Sequence, residues 1–280
     1  MARKGTLSQP ELYEYIAHQY DDFQHVFDRL KKERRYLNYG YTTSSSQSYE
    51  DRQEALCLKV FEAAQIEKQH TIVDVGFGSG EQDFLLARQF KFKKLIGYNI
   101  ASAQVRYAQT RARQEGLAAL LDFREGKAEE LPDLKEKSVD RLLAIECAFY
   151  FDRPRFYQRA AQVLRSGGLL VLADITFSDR LAFLTRRANN LARVSHLSRN
   201  QEHWEPYFHT QSLVSIARET RPGAALTVRK ILKGLIRRQD KGLTDRERST
   251  WLKMAFNTQI VVLGLLSGLI RYDLIVLQKR

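Results

Sequence analysis

Three observations predict a doubly wound α/β domain. From Thr71 five short β-branched runs, TIVDV, KLIGYNI, LLDFREG, VDRLLAIE and GLLVLADI, alternate with helical stretches. The runs are apolar almost throughout, and helices such as SAQVRYAQTRARQ and DRPRFYQRAAQVL lie between them, the pattern of a parallel sheet covered on both faces. The first run ends in VDVGFGSGE, where Asp74 precedes Gly76, Gly78 and Gly80 and the chain enters a helix at QDFLLARQF.

The elements follow in chain order. Ser8 and Glu11 form a capping box, and Leu12, Tyr13, Ile16, Tyr20, Phe23, Val26, Phe27 and Leu30 recur at helical spacing, which predicts an amphipathic helix from about Pro10 to about Arg35. An aromatic loop, Tyr36-Leu-Asn-Tyr39-Gly40-Tyr41, and the polar TTSSSQS lead to a second helix near Tyr49 with Leu56, Val60 and Phe61 on one face. The five alternating strands come next. After Asp174 the alternation stops, and helical stretches near 178–194 and 207–220 precede a possible strand, ALTVR, and a closing apolar stretch, LIRYDLIVLQ. The boundaries read as 1–48, an N-terminal helix and Tyr-rich lid loop; 49–175, a binding core; and 176–280, a helical lid with the last strands, completing the same domain. There is no internal repeat and no low-complexity tract.

The 280 residues carry 45 Lys and Arg against 33 Asp and Glu, a net +12, with 44% hydrophobic residues. That composition supports a full core and excludes disordered and fibrous classes. The surplus is −1 over residues 1–70, +2 over 71–175 and +11 over 176–280. An anionic surface or ligand is expected to face the last third. The longest uncharged apolar run, Ile260–Ile270, is too short to span a bilayer, and the basic N-terminus leads into polar sequence rather than a signal peptide. Cys57 and Cys147 are the only cysteines, and Cys147 lies in the apolar LLAIECAFYF, which suits a buried free thiol and a cytoplasmic setting.

A strand that turns through glycines into a helix N-terminus lets backbone N–H groups approach a ligand closely. In a dinucleotide fingerprint the third glycine would come one residue later, and Glu81 stands in its place, where it would repel a pyrophosphate. S-adenosylmethionine carries a sulfonium and an amino group and no phosphate, so neighbouring acids favour it. A tight turn without ligand is the plain alternative.

On these residues the chain resembles the class I S-adenosylmethionine-dependent methyltransferases, in particular the small-molecule group of tocopherol, sterol, sarcosine and cyclopropane-type enzymes. The resemblance runs from about Tyr36 to Ile175. It rests on the glycine loop, GYNIASAQVRYAQ after the second strand, EGKAEELP after the third, ECAFYFDRPRFY after the fourth and QVLRSGGLLVLADI at the fifth. It implies a Rossmann-like seven-stranded sheet in the order 3-2-1-4-5-7-6, closed by RYDLIVLQKR, with N-terminal helices and a helical lid insertion. It implies S-adenosyl-L-methionine as cofactor and no metal. Gly76, Gly78 and Gly80 would meet the methionine part, with Asp74 ordering the loop. Asn99, beside Ile100, stands where many relatives have Asp or Glu for the ribose hydroxyls, and Gln104 matches a glutamine sharing that role. Ala128 and Glu129 fall at the adenine edge, with Lys127 in place of the usual aspartate. Glu146 would lie near the methionine amino group, or be an ordinary carboxylate at a strand end.

On the reacting side, Tyr39-Gly40-Tyr41 resembles a Gly-Tyr-Trp segment that closes over the cofactor; it could equally be an aromatic staple between helices. Tyr39 and Tyr41 are the candidates there. Tyr150 occupies a place where many relatives have histidine. A phenol of pKa about 10 is a poor base at neutral pH, so Tyr150 would orient a substrate, stabilise a cation or be a core aromatic. His203, Trp204, Tyr207 and His209 form an aromatic, titratable cluster in HWEPYFH; either histidine could be a general base or a substrate contact, with His209 the named candidate, or each could be an ordinary surface or core residue. His18 and His25 have no further partners at metal spacing. In VRKILKGLIRR, residues 228–238, an apolar face opposes Arg229, Lys230, Lys233 and Arg237, which suits peripheral contact with an anionic membrane or a solvated lid. The leading expectation is methyl transfer to a small, lipophilic or natural-product acceptor by in-line displacement. An RNA methyltransferase and a non-catalytic cofactor-binding protein are the alternatives. Nucleic acid is disfavoured by the lack of an RNA-binding module or an aromatic-interleaved basic stretch.

Overall fold

The computed structural model describes residues 8–29, 31–181, 195–236 and 243–280. Seven strands make one sheet: β1 (Thr71–Val75), β2 (Lys94–Asn99), β3 (Leu121–Glu125), β4 (Val139–Ile145), β5 (Leu164–Phe177), β6 (Phe208–Ser215) and β7 (Ile270–Lys279). The order is β3-β2-β1-β4-β5-β7-β6, as the resemblance implied. Strands β1 to β5 pair in parallel, and β7 runs antiparallel between β5 and β6.

Successive residues of a strand point to opposite faces, and both faces here are covered. On one side Ile72, Leu143, Val171 and Ala173 join Leu56, Val60 and Phe61; on the other Val73, Val75, Leu142 and Leu170 join Phe156, Tyr157 and Trp204. This two-sided burial is why the strand sequences are apolar without alternation. The described helices are α1 (Gln9–Arg29), α2 (Tyr49–Ala63), α3 (Glu81–Gln89), α4 (Ser102–Gln114), α5 (Arg153–Val163), α6 (Leu197–Trp204), α7 (Ala217–Ile236) and α8 (Asp245–Ser267).

Helix α1 stops at Arg29, six residues short of the expected Arg35. Lys31 turns left-handed at φ 48°, and the Lys32 N–H bonds back to the Phe27 carbonyl at 3.0 Å, closing the last turn. The segment 207–220, expected as helix, is mostly β6. It lies at the sheet edge, where its largely exposed residues need only the β7 ladder on one side. ALTVR is helical rather than a strand. Ile216, Thr220, Gly223, Ala224, Thr227 and Ile231 are buried at three- and four-residue spacing, and this period overrides the β-branched local composition. Of the helix expected at 178–194, residues Asp179–Leu181 form a 3-10 turn and 182–194 lie outside the described residues. Arg237 lies outside them as well.

Candidate functional site

Three glycines shape the loop after β1. Gly76, Gly78 and Gly80 have φ of 69°, 60° and 79°, a left-handed backbone that side chains disfavour. A Cβ on Gly76 would lie 2.7 Å from Cβ of Cys147, so that turn also needs the missing side chain for space. Gly80 is the N-cap of α3. Beneath the loop Asp74 is buried and accepts from Gln82 Nε2 at 2.8 Å. Burial pushes its carboxyl up to about 7, and burial followed by the charge of Asp74 pushes the neighbouring Asp83 well above the usual carboxylate range. The two acids therefore hold a proton between them near neutrality. Groups with raised folded pKa lend stability below their unfolded pKa and lose it as pH rises through the folded value. Asp83→Asn supplies a permanent amide donor to Asp74. Its melting temperature is expected to fall less than that of the wild type between pH 5 and 8; an unchanged pH slope would remove the shared proton from the account.

A single cavity above the carboxyl ends of β1, β2 and β4 gathers most of the sequence candidates. It is lined by Gly76, Gly78, Asn99, Ile100, Gln104, Ala128, Glu129, Glu146, Tyr39 and Tyr150. Asp74 and Gly80 lie under it rather than in its wall. Tyr41 stays outside, where its N–H bonds the Arg52 carbonyl at 2.7 Å. His209 is also outside: it is exposed on β6, paired in register with Gln278. An edge strand two positions beyond β5 carries it away from the switch between β1 and β4. His203, Trp204 and Tyr207 are likewise absent from the wall.

At one end of the cavity two amides and a carboxylate define the polar surface. Asn99 Nδ2 donates to the Gly78 carbonyl at 3.1 Å and to Gln104 Oε1 at 2.8 Å, and its Oδ1 accepts from Ala101 N–H at 3.4 Å. Asn99 is thus spent on holding the loop, while the buried Gln104 Nε2 has no partner among the described residues. Glu129 Oε1 accepts from the Tyr13 hydroxyl and, at 2.6 Å, from Asp152 N–H; its buried Oε2 has no partner among the described residues. Lys127 is drawn aside to Glu130 at 2.9 Å. Glu81 faces Arg111 at 2.6 Å, so its charge is met within the protein.

The other end is aromatic. Tyr20 and Tyr150 place their hydroxyls 3.3 Å apart, and the Tyr39 hydroxyl lies 3.5 Å from Thr258 Oγ1. Burial raises the pKa of all three phenols, so they stay neutral donors or acceptors. Glu146, also in the cavity wall, has a left-handed conformation at φ 53°. Its Oε1 accepts from Tyr39 N–H at 2.7 Å and from the Tyr272 hydroxyl at 2.6 Å, tying the lid loop to β4 and β7. Burial pushes its carboxyl up to about 8.

The sequence reading missed the contributors from the chain ends. Tyr13, Tyr20 and Phe23 of α1 and Met254, Asn257 and Thr258 of α8 line the cavity. The tyrosine hydroxyls inside an otherwise apolar α1 stripe were the available signal; α8 carried none.

Residues 73–172 match the methyltransferase domain family. Erythromycin 3''-O-methyltransferase of Saccharopolyspora erythraea is 34% identical over 141 residues, spanning 50% of this chain and 46% of that protein. Methyltransferase GfsG of Streptomyces halstedii is 32% identical over 148 residues, 52% of each chain. The chain spans about half the length of the curated relatives it matches. Among solved structures the [4+2]-cyclase SpnF superposes with a TM-score of 0.79 at 19% identity, covering 94% of each chain. The cyclopropane synthase MmaA2 from Mycobacterium tuberculosis gives 0.75 at 16% identity, covering 95% of this chain and 98% of its own. At such identities these two show the fold alone.

Proposed function

From a chain whose residues 73–172 form a methyltransferase domain on a sheet of order 3-2-1-4-5-7-6, we propose an S-adenosylmethionine-dependent methyltransferase acting on a small, lipophilic or natural-product acceptor. One observation carries the reading. The cavity has a left-handed glycine floor and, at its polar end, two buried atoms without partners among the described residues, Gln104 Nε2 and Glu129 Oε2, a donor and an acceptor suited to a nucleoside. The cofactor, when bound, supplies the activated methyl group. Gly76 and Gly78 would flank its methionine part, Gln104 its ribose, and Ala128 and Glu129 its adenine. Glu146 would meet its amino group.

The chain's own work is then alignment and exclusion of water, the main needs of an in-line displacement. Tyr39, held by Glu146, closes the wall, and Tyr20, Tyr150 and Thr258 offer neutral hydroxyls to orient an acceptor. With His209 outside the cavity, no histidine lines it among the described residues, which favours acceptors that need little help in losing a proton. The relatives' printed names, among them an erythromycin O-methyltransferase, support small natural products over RNA as acceptor. The exposed Arg229 and Lys233 of α7 support peripheral contact with an anionic membrane, whereas Lys230 is paired with Glu50 at 2.7 Å. No described helix is long and apolar enough to cross one.

Calorimetry with S-adenosylmethionine tests cofactor binding. Gln104→Leu is expected to weaken it about tenfold by removing one donor. Unchanged affinity would take Gln104 out of the site. Labelled methyl transferred to a host extract is expected in the organic-soluble fraction; label confined to RNA would replace the acceptor class.

A further inference from the structure

Helix α8 has two faces with different surroundings. Met254, Asn257 and Thr258 line the cavity. On the opposite side Leu252, Phe256, Leu263 and Leu266 are 49%, 67%, 55% and 56% exposed. At about 100° per residue these four fall within an arc of about 80° and span about 21 Å along the axis. Four large apolar side chains in one exposed row mark an interaction surface rather than a scatter of surface residues.

We propose that this outer face of α8 is an interfacial docking surface that lies on an anionic lipid bilayer. Charge selects the occupant. The last third of the chain carries 19 basic against 8 acidic residues, and α7, which packs along α8, exposes Arg229 and Lys233 next to the exposed Leu232, while Lys230 is paired with Glu50 at 2.7 Å. Apolar side chains flanked by basic ones are the pattern of a helix lying in the headgroup plane. A second copy of the chain on this face would bring together two chains of net charge +12 each, which opposes self-association. The helix is suited to lie on a bilayer and not to cross it.

The placement has a consequence for access. The cavity wall and the docking face belong to one helix, so a bilayer in contact with Phe256 and Leu263 would lie about one helix diameter, about 10 Å, from Met254 and Thr258. The surface deepens the reading of a lipophilic acceptor and can be tested without that acceptor.

Co-sedimentation of the full chain with phosphatidylcholine vesicles, with and without phosphatidylglycerol, is the test. Binding to the anionic vesicles is expected, falling as salt is raised from 50 to 500 mM on the order of the Debye screening of the basic residues. Phe256→Ser with Leu263→Ser should weaken it more than about tenfold. Sedimentation equilibrium and melting temperature are measured on both chains to show that the variant is folded. Absence of binding by the wild type, or equal binding by the double variant, overturns the proposal. A wild-type dimer that the double variant dissociates, without vesicle binding, assigns the face to a second copy and also overturns it. S-adenosylmethionine affinity is read separately on the same samples, so vesicle binding without cofactor binding would sink the methyltransferase reading and leave the docking surface standing.

Discussion

Gly223→Ala is expected to destabilise the protein by about 3 kcal/mol or more and lower its melting temperature by roughly 6–10 °C. A Cβ there would lie 1.7 Å from the Tyr39 carbonyl oxygen and 2.9 Å from its carbonyl carbon. The obstacle is backbone, so no rotamer change relieves it. Either α7 or the 36–41 loop must move, and the loop is held on three sides. Tyr39 N–H bonds Glu146 at 2.7 Å, Tyr41 N–H bonds the Arg52 carbonyl at 2.7 Å, and Thr42 N–H bonds the Glu219 carbonyl at 2.9 Å. Displacing Tyr39 would open the cavity wall, so cofactor affinity should fall along with the melting temperature. Gly116→Ala is the control: its φ is +69° but its Cβ would meet nothing within 4 Å, and a loss of about 1–2 kcal/mol from backbone strain alone is expected. Equal losses in the two variants would mean that the Gly223 contact does not set the loop.

Glu146→Gln is expected to cost more than about tenfold in S-adenosylmethionine affinity above pH 8, where the wild-type carboxylate would pair with the ligand's ammonium group. The free carboxyl is held near 8 by burial, so at pH 7 it is mainly protonated, and an incoming cation should expel the proton. Titration calorimetry at pH 7 in buffers of different ionisation enthalpy should therefore report proton release on binding by the wild type and much less by the glutamine variant. The amide can still accept from Tyr39 N–H and the Tyr272 hydroxyl, so the loop stays anchored. Stability follows with a fixed sign. A carboxyl raised from its unfolded value lends stability that is complete at low pH and is lost as pH climbs toward 8 and past it. The wild type should lose more stability than the variant between pH 6 and 9. If binding releases no proton in either protein, Glu146 holds the loop and not the ligand.

The strands were legible because both faces of the sheet are buried. TIVDV is β1 residue for residue, and the glycine spacing marked the turn that opens α3. The site was legible where one short loop makes its own geometry, as at Gly76 and Gly78. It was misread where a residue's position depends on a distant pairing. HWEPYFH offered aromatic and titratable groups, but the β6 to β7 register sets His209 at the sheet edge. ALTVR offered β-branched residues, but packing of Gly223 and Ala224 against the rest of the molecule made that segment helical.

By itself the sequence determined the parallel core, the glycine loop, the buried free thiol of Cys147 and the concentration of positive charge in the last third, since apolar period, φ preference and composition are all local properties. Only the tertiary structure decided what closes the cavity. Tyr20 and Thr258 are 238 residues apart and meet the same space because α1 and α8 pack over the carboxyl ends of the strands. The partner of Gly223 and the raised carboxyls of Asp74 and Asp83 were decided in the same way, because van der Waals contact and desolvation act through distances that no spacing along the chain encodes.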